Sequence, residues 1–267
     1  MMDVKERFNV TIKGSGKQTL LFVHGLGCDQ SIWRKIAPVF EKDYSVILID
    51  LIGFGLSKTQ PSDQEKHTSL HGYAADLLEI IDAFHLENLI IVTHSVSTMI
   101  GLLAYIEKPS KFSRMVMIGP SPYYLNDREY KGGWDKREID QMLEMMNTDL
   151  QKWSSVITPQ IVGNASQPAL TAELNDSFCR ANPTFLKSLA TLTFTSDNRK
   201  DLSHLNIPTL ILQCAEDIIA PDFVGEFVHQ QVKTSELVHL KAKGHCPHLS
   251  DPEETVEEIQ IFLGKKF

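Results

Sequence analysis

Three early apolar runs, TLLFVHG (residues 19–25), SVILID (45–50) and LIIVTHS (89–95), are rich in β-branched residues and do not alternate with polar ones. A strand with one wet face alternates with period two, so runs of this kind predict strands buried on both faces. Such a sheet needs helices above and below it. Between the second and third runs, Leu70, Tyr73, Ala74, Leu77, Leu78, Ile81 and Phe84 recur at helical spacing among Asp76, Glu79 and Asp82, which predicts a crossover helix. Strand-like runs at 115–119, 209–214 and 237–242, and helix-like segments after Ser95, Pro221 and Pro252, continue the alternation. The fold class is α/β, a mostly parallel sheet with helices on both faces.

The alternation stops between Pro120 and Pro208. That stretch has no strand-like run but several amphipathic ones, such as REIDQMLEMM and ALTAELNDSFCRA, and reads as an inserted helical cap. Pro120, Pro122 and Pro208 sit at its edges, where proline interrupts no regular element. The expected organisation is a core from 1–119 and 209–267 with the cap at 120–208. A length of 267 residues suits one enlarged domain better than two independent ones.

Composition narrows the partners. Hydrophobic residues at 42% and charged residues at 22% are close to globular averages and argue against disorder. The 26 basic and 34 acidic residues are spread along the chain, giving a net charge of −8 and no clustered basic surface for a phosphate backbone. Nucleic acid and membrane are therefore not expected as partners. The opening MMDVKERF is charged where a signal peptide is apolar, and no window holds 18 apolar residues, so the expected location is cytoplasmic. Cys28, Cys179, Cys214 and Cys246 are widely spaced and are expected to be free thiols.

Ser95 ends the third apolar run and begins a helical pattern, the context of a nucleophile elbow. The motif is Gly-x-Ser-x-Gly; here Thr93 and Ser97 occupy the glycine positions. A serine hydroxyl is a poor nucleophile at neutral pH and needs a histidine base held by an acid. Both follow in chain order. Glu216 and Asp217 come after the run TLILQC and compete for the acid role, with the loop position favouring Asp217. His245 comes after LVHLKA. Ser, Asp, His is the α/β-hydrolase order. A tetrahedral oxyanion also needs two backbone donors, for which the N–H groups of Val96 and of Leu26 in His24-Gly25-Leu26-Gly27 are the candidates.

The remaining polar residues read as structural. His67, His71, His85, His204, His229 and His239 stand singly, and Asp50 at the end of its strand is assigned no chemistry. His245-Cys246-Pro247-His248 is superficially metal-like, but the proline blocks a helical ligand face and no second ligand cluster is visible in the sequence. No metal and no cofactor are expected. Neither Cys28 nor Cys246 has a dedicated base, so a catalytic thiol is not expected.

GLGCDQSIW (25–33), HSVSTMIG (94–101), GPSPYYLNDREYKGG (119–133), LQCAEDIIAP (212–221) and GHCPHLSDP (244–252) resemble the small α/β hydrolases of the RsbQ type. That group holds the stress-response regulator RsbQ and the plant karrikin and strigolactone receptors. The resemblance runs through nearly the whole chain. It implies a lid of four helices over a largely apolar pocket, a triad of Ser95, Asp217 and His245, and pocket walls at Leu26, His94, Tyr124, Trp153, Ile157, Phe194 and Ile219. Leu26 stands where the plant receptors carry an aromatic, which implies a different ligand shape. The expected function is a serine hydrolase of a small hydrophobic ester or lactone. The alternative is a ligand-sensing regulator in which slow hydrolysis or occupancy acts on a regulatory protein partner.

Overall fold

β1 (Thr11–Lys13), β2 (Thr19–Val23), β3 (Ser45–Leu48), β4 (Leu89–His94), β5 (Phe112–Ile118), β6 (Thr209–Ala215) and β7 (Ser235–Lys243) form one sheet in the order β1-β3-β2-β4-β5-β6-β7. The computed structural model describes residues 3–266; Met1, Met2 and Phe267, at the outer ends of the two expected core segments, lie outside the described residues. Each of the six apolar runs forms a strand, and β2 to β7 run parallel. The three-residue β1 pairs antiparallel with β3 at the sheet edge. It is mostly exposed and too short to give a readable hydrophobic period.

Every residue of β4 is buried, as its apolar run predicts. The helices α1 (Leu70–Ala83) and α2 (Val96–Glu107) follow β3 and β4. The chain leaves β2 toward β3 on one side and returns to β4 on the other, so the strand order reverses between β2 and β4. At such a switch point the loops beyond the carboxyl ends of the strands diverge and leave a crevice. The loop after β2 and the turn after β4 therefore meet there, with Val23 and Thr93 paired in register.

Between β5 and β6 the described chain forms α3 (Lys136–Thr148), α4 (Leu150–Val162), α5 (Pro168–Arg180) and α6 (Pro183–Thr195). Asp135 and Glu138 close a reciprocal capping box on α3, and Asp149 accepts from the Lys152 N–H at the start of α4. The two ends of this stretch are tied together. The Arg199 guanidinium lies 4.5 Å from the Tyr123 ring centre and 4.8 Å from that of Tyr130, and pairs with Asp127 and Asp197 at 2.6 Å each. The helices α7 (Asp222–Gln231) and α8 (Pro252–Gly264) complete the alternation.

Candidate active site

β4 ends at His94, and Ser95 turns sharply into α2 with φ 57° and ψ −129°. A non-glycine residue in this region is strained, and such strain collects at functional sites. The two missing motif glycines do not prevent the turn. The Thr93 hydroxyl donates to Val116 O at 2.8 Å. Its methyl faces Gly101 so closely that a Cβ there would lie 3.0 Å from Thr93 Cγ2, so a glycine one turn into α2 provides the room. Ser97 Oγ donates to His24 O at 2.5 Å, which ties the elbow to the loop after β2.

The loops after β6 and β7 bring two more side chains to the same point. His245 Nε2 and Ser95 Oγ are 2.8 Å apart, and His245 Nδ1 is 2.7 Å from Asp217 Oδ2. The other Asp217 oxygen accepts from the N–H groups of Ile219 at 2.9 Å and Ala220 at 3.1 Å, so the carboxylate is fixed on both sides. Glu216 points away, exposed and paired with Lys243 at 2.7 Å. Ser95, Asp217 and His245 are all buried. This is a relay in which the histidine can take the serine proton while the carboxylate holds its tautomer.

Val96 is the first residue of α2, so its N–H has no partner within the helix. The Leu26 N–H likewise has no hydrogen-bond partner among the described residues. His24 braces that loop: Nδ1 contacts Gly25 O at 2.9 Å, and Nε2 accepts from the Leu51 N–H at 3.0 Å. Burial holds its imidazole below the ordinary range, which keeps Nε2 an acceptor.

Leu26, His94, Tyr124, Trp153, Ile157, Phe194 and Ile219 all line the cavity in front of Ser95 and His245. Cys28, Ile161, Leu174, Phe178, Thr193 and Cys246 line it too, and sequence reasoning missed them as walls. The free space is about 30 Å³, room for about one water molecule. Tyr124 is buried, with its ring 5.0 Å from that of Phe194. Burial pushes its phenol up, with the Ser95 hydroxyl acting in the opposite sense. Burial also pushes the Cys28 and Cys246 thiols up, so neither is a ready thiolate.

Two sequence readings need correction. His67 does not stand singly: it is buried, with Nε2 2.6 Å from Asp76 and Nδ1 2.7 Å from Asp63 O, in a network that includes Arg7 and Lys66. The other concerns the His245-Cys246-Pro247-His248 segment, for which the sequence shows no second ligand cluster. β4 brings His94 beside it, so that the ligand atoms of His94, Cys246 and His248 lie within 4.8 Å of one another. Asp50, by contrast, makes structural contacts, accepting from Asn9 Nδ2 and from the Gln30 and Leu56 N–H groups.

A family model described as the alpha/beta hydrolase fold matches residues 18–252. The chain belongs to the α/β-hydrolase family. It is 35% identical to the karrikin insensitive 2 receptor CA of Petunia hybrida over 95% of this chain and 94% of that protein. It is also 35% identical to the strigolactone esterase D14 of Arabidopsis thaliana, covering 98% of both chains. Among solved structures, a hydrolase from Oleispira antarctica superposes with a TM-score of 0.95 at 34% identity, covering 98% of this α/β hydrolase and 97% of that chain. No helix among the described residues is long and apolar enough to cross a membrane.

Proposed function

We propose that this α/β hydrolase cleaves small hydrophobic carboxylic esters or lactones through an acyl-enzyme on Ser95, with residues 120–208 acting as a cap that shapes the pocket. The observation that carries this reading is the unbroken hydrogen-bonded series from Ser95 Oγ through His245 to Asp217, opening into an apolar cavity. Ser95 Oγ attacks the carbonyl carbon while His245 Nε2 takes the proton. The N–H groups of Leu26 and Val96 receive the developing oxyanion. His245 then protonates the leaving alkoxide, which for a lactone stays tethered to the acyl group, and a water activated by the same nitrogen releases the acid. Dehalogenase and epoxide-hydrolase chemistry attack through a carboxylate, and the elbow here offers a hydroxyl.

The relatives named as karrikin receptors and strigolactone esterases support a lactone-sized, apolar ligand. One observation favours the second reading, a ligand-sensing regulator with a protein partner: the cavity is far smaller than such a ligand, so occupancy must displace cap side chains or helices. Incubation with p-nitrophenyl acetate and with a simple butenolide, followed by intact mass measurement, tests the proposal. An acyl adduct is expected on the wild-type protein and none on Ser95→Ala; an adduct of equal yield on folded Ser95→Ala refutes the nucleophile. Rapid turnover without a partner supports the enzyme, and a single slow turnover with a ligand-induced melting shift supports the regulator.

A further inference from the structure

Beside the proposed triad, but outside the hydrogen-bonded series from Ser95 to Asp217, lies a buried group of soft and borderline donors. His248 is fully buried with neither ring nitrogen hydrogen-bonded, and His94 Nδ1 also has no partner. The His248 ring lies 4.7 Å from that of Trp33 and 4.6 Å from that of His94, so the His248 imidazole is held in place by ring contacts without a polar partner. Cys246 Sγ is 4.0 Å from His94 Nε2. Orphaned imidazole nitrogens are costly in a protein interior, and here they share their surroundings with a thiol and no carboxylate among the three donors.

We infer that His94, Cys246 and His248 form an inhibitory site for a thiophilic divalent cation of the zinc(II) class. Tetrahedral zinc holds nitrogen and sulfur ligands about 3.3–3.6 Å apart. The three donors, already within 4.8 Å of one another, reach that spacing with movements of about 1 Å. Two imidazoles and a thiolate suit zinc(II) and exclude magnesium or calcium, which take oxygen. On binding, the Cys246 S–H bond is replaced by an S–Zn bond and the thiol proton goes to solvent; the His94 Nε2 proton moves to Nδ1, freeing Nε2 for the metal. Cys246 and His94 both line the cavity, which leaves the fourth position to water.

Inhibition follows from one contact. His94 Nε2 donates to the backbone carbonyl of His245 at 2.8 Å, and a metal on that nitrogen removes the bond while drawing on the residue next to the base. The inhibitory half of this inference rests on the hydrolase reading, whereas the binding half does not. Zinc sulfate titrated against a chromophoric chelator should give one bound zinc per chain. Cobalt(II) chloride should show a sulfur-to-cobalt charge-transfer band. Folded Cys246→Ser should lose that band, whereas His248→Gln should keep it, and each should bind zinc at least about a hundredfold more weakly. Ser95→Ala should bind zinc like the wild type. Hydrolysis of p-nitrophenyl acetate by the wild type should fall with zinc and return with EDTA. Absent stoichiometric zinc, or an unchanged zinc affinity in folded Cys246→Ser, overturns the site; inhibition at the same zinc concentration in that variant moves it to His245 itself and overturns the coupling. Should the wild type show no hydrolysis at all, the hydrolase reading fails while the zinc and cobalt measurements still decide the site.

Discussion

Asp217 and Glu216 are adjacent, yet only one carboxylate turns inward. Asp217 accepts from His245 and from two backbone N–H groups, while Glu216, at φ 55°, faces Lys243 and solvent. Asp217→Asn should lower kcat/KM by about ten-thousandfold, because an amide favours the wrong imidazole tautomer and cannot stabilise imidazolium. Glu216→Gln should stay within about threefold of wild type, since an exposed ion pair contributes little. Steady-state rates on one ester for both variants check this, and equal losses would contradict the assignment. The sequence left the pair open because both acids follow the same strand, and the choice depends on loop geometry. Ser95 and His245 were legible because each follows an apolar run that ends in a loop. Cys28 and Cys246 were visible only as residues near the site; that they form its walls depends on how two loops fold back. The His67 network joins segments whose charges show no common spacing.

At the scale of elements, the helices between β5 and β6 join the site through α4. Ile161 O, in its last turn, accepts the His245 N–H at 2.7 Å. Gly163 and Gly244, at φ 62° and 78°, let the two backbones meet: a Cβ on Gly244 would lie 2.2 Å from Val162 O. Gly244→Ala must push α4 off the loop or move the base. The expected result is a kcat loss of about tenfold or more, from a displacement on the order of 1 Å, with KM changed less. A folded variant with wild-type kcat would show that α4 does not position His245. Phe194 on α6 tests the cavity wall. Phe194→Ala should raise relative kcat/KM for longer acyl chains by about tenfold to a hundredfold, at roughly 1–3 kcal/mol per methylene admitted. Rates from acetyl to octanoyl esters, read beside a melting curve, separate a wall from a packing residue, whose loss lowers stability without changing preference. Amphipathic stretches made a helical insertion legible, but not the docking of α4 on Gly244, which rests on backbone approach.

Over the whole molecule, buried neutral histidines couple the fold to pH. His24, His94 and His248 are all held below the ordinary imidazole range, chiefly by burial, with His248 pushed down to about 3. The unfolded chain takes up these protons as pH falls through about 6.5, and the folded chain does not. Stability from these groups is therefore complete above that value and declines as pH drops toward each folded value. Each contributes a slope of at most about 1.4 kcal/mol per pH unit. Asp29, Asp82, Asp127 and Asp197 have lowered values, so their stabilisation is lost only below about pH 4. Between about pH 6.5 and 4 the three histidines dominate among these groups. Acidification by two units removes at most about 8 kcal/mol, comparable with the whole stability of many domains. Urea midpoints at pH 7.5, 6.5, 5.5 and 4.5 should hold steady across the first interval and fall steeply thereafter. His248→Phe keeps an aromatic ring against Trp33 and removes one of the protons, so its slope below pH 6.5 should be shallower than that of the wild type. A wild-type midpoint that stays flat from pH 6.5 to 4.5 would mean that these histidines titrate alike in the folded and unfolded states.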